Sequence, residues 1–205
     1  MSKMTLYHSV PSRSSIAHWM LEEVGEPYEI RVVDLKRGEN RAPEYLAVNP
    51  MGKVPALRHE GVVITEAAAI CAYLADAFPH AELNIPVGDP RRGVYFKWLF
   101  FGPSCVEQAM MDRAFPRKEQ PPVTALGYGS YEAVLDHLAK AVAEGPYLMG
   151  TQFTAADVVI GSTIRWGLRF KLLPERPEFV AYAARLAERP ALQRAEAQDR
   201  ELAAA

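Results

Sequence analysis

Cysteine is scarce in this sequence: Cys71 and Cys105 are its two cysteines in 205 residues. They lie far apart and match neither a metal-ligand spacing nor a CxxC redox pair, so a disulfide framework and a dithiol active site are both excluded. They suit a reducing compartment. Charge of one sign is missing as well: 23 basic against 25 acidic residues give a formal charge of -2. That leaves no basic stripe for nucleic acid and no polybasic patch for a membrane surface. No apolar run approaches the roughly 18 residues of a membrane span, and MSKMTLYHSV lacks the apolar core of a signal peptide. The expectation is a soluble, cytoplasmic protein with no metal.

What is present is enough apolar surface, 49% of residues, to bury one large core or two small ones. The first 80 residues alternate element types, as a mixed α/β layer structure does. Met4 to Ser9 reads as a strand, and Ser14 to Val24 carries Ile16, Met20, Leu21 and Val24 at helical spacing before Gly25 stops it. Tyr28 to Leu35 reads as a second strand and Pro43 to Val48 as a short helix. Ala56 to Arg58 and Val62 to Ile64 form a hairpin across Glu60-Gly61, and a helix follows from Glu66 to Phe78. Residues 81–90 belong to a stretch rich in proline, PHAELNIPVGDP, that reads as a linker. Beyond it the apolar period is helical: Arg91 to Phe115, Val123 to Glu144, Ala155 to Phe170, Glu178 to Glu188 and Ala191 to Ala203. The expected domains are therefore 1–80, mixed α/β, and 91–205, all-helical.

The segment Asn49-Pro50-Met51-Gly52-Lys53-Val54-Pro55-Ala56-Leu57 leads into a strand. Pro55 has no N–H for the ladder and so belongs at the strand's first residue. An X-Pro bond there is cis at low cost. A cis Val54-Pro55 bond would turn the Val54 N–H and C=O outward, where an extended peptide pairs as an added strand. Spacing alone favours an ordinary Pro-Gly turn.

The order strand, helix, strand, NPxGxVPxL, hairpin, ITEAAAICAYL resembles the N-terminal domain of the cytosolic glutathione transferases, a thioredoxin-like fold. Phe153-Thr154-Ala155-Ala156-Asp157-Val158 is similar to the N-capping motif of that family's central core helix, so the resemblance runs through the whole chain. It implies glutathione as co-substrate, a hydrophobic electrophile as second substrate, a homodimer, and transfer of alkyl or aryl groups in detoxification. Disulfide reduction or isomerisation, or ligand binding without turnover, are the alternatives. The resemblance further implies that Glu66 contacts the γ-glutamyl ammonium and that the Ala67 N–H holds the γ-glutamyl carboxylate at a helix N-terminus, with Thr65 as N-cap. Ala67 stands where the family has a serine. Val54, Pro55 and Lys53 complete the glutathione set, Lys53 towards the peptide backbone or the glycine carboxylate.

The capping motif also has a plain physical reading. Thr154 accepts from the Asp157 N–H, the Asp157 carboxylate reaches back to the Thr154 N–H, and Phe153 meets Val158 as a hydrophobic staple. Catalysis points instead to the turn Ser9-Val10-Pro11-Ser12-Arg13-Ser14-Ser15. The tyrosine of some family classes would fall near His8 and the cysteine of another near Arg13, so serine is the remaining thiolate donor. Ser12 is the first candidate, Ser14 the second, and Arg13 an alternative charged donor; a helix N-cap is the competing role for Ser14 and Ser15. For the electrophile, Phe101, Ser104 and Trp166 are the candidate pocket residues, with Gly102-Pro103 kinking the helix that carries Phe101 and Ser104.

Overall fold

The computed structural model describes residues 4–119 and 121–204. They fall into two compact units, residues 4–81 with 189–204, and residues 82–188. The first holds one sheet of four strands, β1 (Met4–His8), β2 (Tyr28–Val32), β3 (Ala56–His59) and β4 (Val62–Thr65), in the order β2-β1-β3-β4. β1 runs parallel to β2, and β3 runs antiparallel to both β1 and β4. A parallel pair needs a crossover, and α1 (Ser14–Val24) supplies it. Its face of Ile16, Ala17, Met20, Leu21 and Val24 is buried, and Gly25, at φ 77, ends it by donating its N–H to the Leu21 carbonyl. The β3–β4 hairpin turns on Glu60 and Gly61, both at positive φ, as a tight two-residue hairpin requires. The short α2 (Pro43–Leu46) precedes the loop into β3, and α3 (Ala67–Ala77) follows β4 and buries Ile70, Cys71, Leu74 and Ala75. Burial pushes the Cys71 thiol far up, leaving it an inert apolar side chain.

The second unit is helical: α4 (Arg92–Phe101), α5 (Glu107–Ala114), α6 (Tyr131–Ala143), α7 (Ala155–Arg169) and α8 (Pro177–Ala187). Between α4 and α5 the chain stays helical but widens to a π-helical turn over Gly102–Val106. Pro103 has no N–H and would crowd the carbonyl four residues back, and the longer register absorbs both defects, so the expected kink is a π-bulge. Gly102 packs closely there: a Cβ would lie 3.0 Å from a Val159 side-chain carbon of α7. The capping box of α7 forms, with Asp157 accepting from the Thr154 N–H at 2.9 Å. Asp157 also accepts from the Tyr182 hydroxyl at 2.6 Å and the Leu148 N–H at 2.8 Å, which ties α8 and a neighbouring loop to the cap.

Three sequence expectations need correction. The helix expected from Val123 starts only at Tyr131: Gly129 sits at φ 75, and Ser130 caps the helix by accepting from the Ala133 N–H at 3.2 Å. The linker is built into the helical unit, because Leu83 and Ile85 are buried, the Leu83 carbonyl accepts from the Ala155 N–H, and Gln152 holds the Glu82 and Asn84 carbonyls. The last helix, α9 (Pro190–Ala204), groups with the sheet unit rather than with the domain expected over 91–205. It packs along α1, where Arg189 pairs with Glu23 at 2.6 Å and Arg194 with Glu22 at 2.6 Å. No helix among the described residues is long and apolar enough to cross a membrane.

Candidate functional site

The loop before β3 is shaped almost entirely by its own residues. Buried Asn49 accepts from the Met51 N–H at 3.0 Å through its side chain, and its amide donates to the Lys53 carbonyl at 2.8 Å. The Tyr45 hydroxyl donates to the same carbonyl at 2.6 Å, and burial pushes that phenol up to about 12, so it stays a neutral donor. Gly52 has φ 60, and a Cβ there would stand 2.7 Å from the Asn40 carbonyl oxygen. The loop delivers a cis Val54-Pro55 bond next to β3. The Val54 N–H and C=O meet no protein partner among the described residues. Lys53 is exposed, its carbonyl locked and its side chain outside the loop's bonding.

The start of α3 departs from the expected cap. Thr65 ends β4, and Glu66 occupies the N-cap position with φ 67 and ψ 116 and without a capping side-chain bond. A non-glycine residue held there costs on the order of 1–3 kcal/mol, and such strain gathers at binding sites. Glu66 is exposed, and Ala67, as the first helical residue, carries one of the N–H groups that a helix leaves unbonded. A carboxylate side chain and an anion-binding helix terminus thus stand next to each other.

The turn between β1 and α1 separates the three catalytic candidates. Arg13 is exposed at the N-cap position. Ser14 is fully buried: its Oγ accepts from the Ser9 N–H at 3.1 Å and lies 2.8 Å from His8 Nδ1, 2.6 Å from Ser12 Oγ and 3.1 Å from the Ser9 carbonyl. A hydroxyl so enclosed does not reach a ligand, which removes Ser14 as a direct thiolate donor. Ser12 is only half-buried, and its Oγ accepts from the Ser14 N–H at 3.1 Å as a turn bond one residue before the N-cap, a position that neither Ser14 nor Ser15 occupies.

Behind Ser14 runs a buried polar cluster that sequence reasoning did not find. His8 Nε2 lies 3.0 Å from Asp199 Oδ1, and His18 Nδ1 lies 2.6 Å from the same oxygen. Ser15 donates to Asp199 Oδ2 at 2.5 Å, and His18 Nε2 faces Tyr28 Oη and Gln198 Oε1 at 3.0 and 3.1 Å. Burial pushes the Asp199 carboxyl up, but the bonds from His18, His8 and Ser15 outweigh it and hold it far below the ordinary carboxylate range. His8, His18 and Asp199 could offer three metal-ligand atoms within 4.8 Å of one another. Asp199 Oδ1 already serves both imidazoles, so the trio is organised as a hydrogen-bond cluster. His8 carried a weak signal, a polar residue ending a strand before a serine-rich turn; Asp199 carried none.

The three pocket candidates lie in the helical unit, each with its own neighbours. The Phe101 ring meets Trp98 and His137 edge-on at 5.5 and 5.3 Å, Trp166 packs with Phe170 at 5.0 Å, and Ser104, exposed, donates to the Phe100 carbonyl at 2.6 Å.

Residues 2–76 match the family described as "Glutathione S-transferase, N-terminal domain", and residues 121–194 match "Glutathione S-transferase, C-terminal domain". Over 197 residues the chain is 33% identical to glutathione S-transferase GstA of Escherichia coli O157:H7, covering 93% of this chain and 96% of that one. The crystal structure of a glutathione transferase from Methylococcus capsulatus str. Bath matches with a TM-score of 0.79 at 32% identity, over 96% of this chain and 98% of that one. A sphingomonad glutathione S-transferase complexed with glutathione matches with a TM-score of 0.77 at 30% identity, over 95% and 98%.

Proposed function

Because the chain belongs to the glutathione S-transferase family, we propose that it holds the glutathione sulfur as a thiolate on Ser12 and adds it to a hydrophobic electrophile. The observation that carries this reading is the split within the serine turn: Ser14 is wholly enclosed, whereas Ser12 keeps a half-buried hydroxyl at the start of α1. A thiol with a pKa of about 8.5 is only a few per cent ionised at neutral pH. A hydrogen bond to a charged acceptor contributes about 1.5–3 kcal/mol, which is roughly one to two pKa units. One serine hydroxyl beside a helix N-terminus is therefore sufficient.

In this reading the Val54 N–H and C=O pair with the peptide backbone of glutathione. Glu66 takes the γ-glutamyl ammonium, the Ala67 N–H takes the neighbouring carboxylate, and Lys53 lies towards the glycine carboxylate. Pro55 fixes the turn that presents Val54. For the electrophile, Trp166 and Ser104 retain exposed surface, while Phe101 acts through its aromatic packing. We take the assembly to be a homodimer; α4 offers apolar exposed surface at Val94 and Phe100 for such a contact.

The test is an ultraviolet titration of the bound thiol. A thiol appreciably more acidic than free glutathione supports the transferase reading, and Ser12→Ala raises its pKa by about one unit or more. A bound thiol no more acidic than free glutathione overturns it.

A further inference from the structure

Among the described residues Ser14 Oγ has four polar neighbours, and it has a single proton to give; the direction of that proton decides what Ser12 is able to do. Among the described residues, His8 Nε2 faces only the Asp199 carboxylate and therefore carries a hydrogen. In a neutral imidazole Nδ1 is then a bare acceptor, and Ser14 donates to it across 2.8 Å. Ser14 Oγ is thereby an acceptor towards Ser12, whose own proton points inward across 2.6 Å. In that state Ser12 Oγ has its lone pairs, not its hydrogen, turned to whatever lies outside. A thiolate needs the opposite polarity.

We propose that Ser12, Ser14 and His8 form a proton relay, with His8 as the acceptor of the glutathione thiol proton and Asp199 as its counter-charge. This rests on Ser12 as the residue that meets the sulfur. In the step, the thiol proton passes to Ser12 Oγ, the Ser12 proton to Ser14 Oγ, and the Ser14 proton to His8 Nδ1. Three O–H or N–H bonds form while the S–H bond and two O–H bonds break, and no further reactant is consumed. The products are a thiolate accepting from Ser12 and an imidazolium whose Nδ1–H is donated to Ser14 and Nε2–H to Asp199. Hydroxyl rotation is not needed, because the oxygens stay at their present spacings.

The groups around the charge this creates come from α1, β2 and α9. On α1, His18 shares the Asp199 oxygen, with its ring 5.1 Å from His8. On β2, Tyr28 donates to Glu22 of α1 at 2.5 Å, and Arg194 of α9 pairs with Glu22. Two carboxylates, Asp199 and Glu22, thus stand against the two imidazoles and one guanidinium. His8 never touches the thiol; it acts through two hydroxyls.

The relay has a signature that a structural histidine lacks: the thiolate forms without its proton leaving the protein. Glutathione binding to the intact protein is followed by calorimetry in buffers of different ionisation enthalpy, below the pKa of the free thiol, beside the thiolate absorbance. The expected result is full thiolate with far less than about one proton released per site, and an imidazole nitrogen shift showing His8 doubly protonated only in the complex. His8→Asn keeps an acceptor opposite Ser14 but cannot take up the proton. There the thiol pKa rises by about one unit, and any thiolate formed releases its proton to buffer. Thiolate in the unmodified protein with about one proton released per site overturns the relay and leaves Ser12's role standing. Absence of thiolate in the unmodified protein overturns both.

Discussion

The loop from Asn49 to Pro55 and the turn from Ser9 to Ser15 lie at the same end of the paired strands β1 and β3, yet they are held in different ways. The loop is closed by neighbours in sequence: Asn49 bonds Met51 and Lys53, Tyr45 reaches Lys53, and Asn40 donates to the Gly52 carbonyl at 2.8 Å. The turn has local bonds through Ser14, but it is also anchored from the far end of the chain, where Asp199 on α9 gathers His8, His18 and Ser15. A locally closed loop has a fixed shape that depends on a few irreplaceable residues. A turn anchored by a carboxylate inherits that carboxylate's response to pH.

The sharpest way to break the comparison is Gly52→Ala. The substitution imposes a side chain at φ 60 and a 2.7 Å approach to the Asn40 carbonyl. A loss of about 3 kcal/mol in stability is expected, read by urea denaturation, together with weakened glutathione binding. Unchanged stability and affinity in the Gly52→Ala protein would mean that the loop is not rigid. Asp199→Ala comes next, because it leaves two buried imidazoles and the half-buried Ser15 hydroxyl without their shared acceptor and costs about 2–3 kcal/mol. Its effect on the bound thiol should exceed its effect on glutathione affinity; equal effects would show that turn and loop are not separable.

Acid should distinguish the two regions without mutation. Asp199 has a folded pKa depressed below its ordinary value of 3.8. Its contribution to stability is therefore complete above that value and is lost as the pH falls through and below it. Asp199→Asn removes this acid-dependent part, so the stability curves of variant and parent should converge towards low pH, while the Asn49 loop contributes nothing to the slope. Parallel curves would place the acid sensitivity elsewhere.

The same contrast explains what the sequence disclosed. α1 was legible to the residue because its period and its terminal Gly25 are local signals, and so was the Thr154 and Asp157 box. The NPxGxVP loop was legible only through the family resemblance, because its spacing alone reads as an ordinary Pro-Gly turn. The fates of Ser12 and Ser14 were not, since which hydroxyl is enclosed depends on His8 and on Asp199, 191 residues beyond His8 in the chain. Nor was the return of α9 to the sheet unit, because an amphipathic helix states that it has a buried face but not which partner covers it. Glu66 fell between: its motif position was readable, its backbone was not.

That backbone yields the smallest and most diagnostic effect. Glu66 sits at φ 67 and ψ 116, a positive-φ conformation that glycine tolerates better than a residue with a Cβ. Glu66→Gly relieves strain on the order of 1–3 kcal/mol and adds roughly 0.5–1 kcal/mol of unfolded-state entropy, so the protein should become more stable by about 1 kcal/mol. Glutathione binding should weaken at the same time, because the carboxylate is gone. Glu66→Gln separates the two terms, keeping the strain and losing only the charge, so affinity should fall with no change in stability. A glycine variant that gains no stability would mean that the neighbouring strand and helix impose the conformation at no cost. One that binds glutathione as before would remove Glu66 from the site, leaving the N–H of Ala67 and the Val54 backbone to carry binding alone.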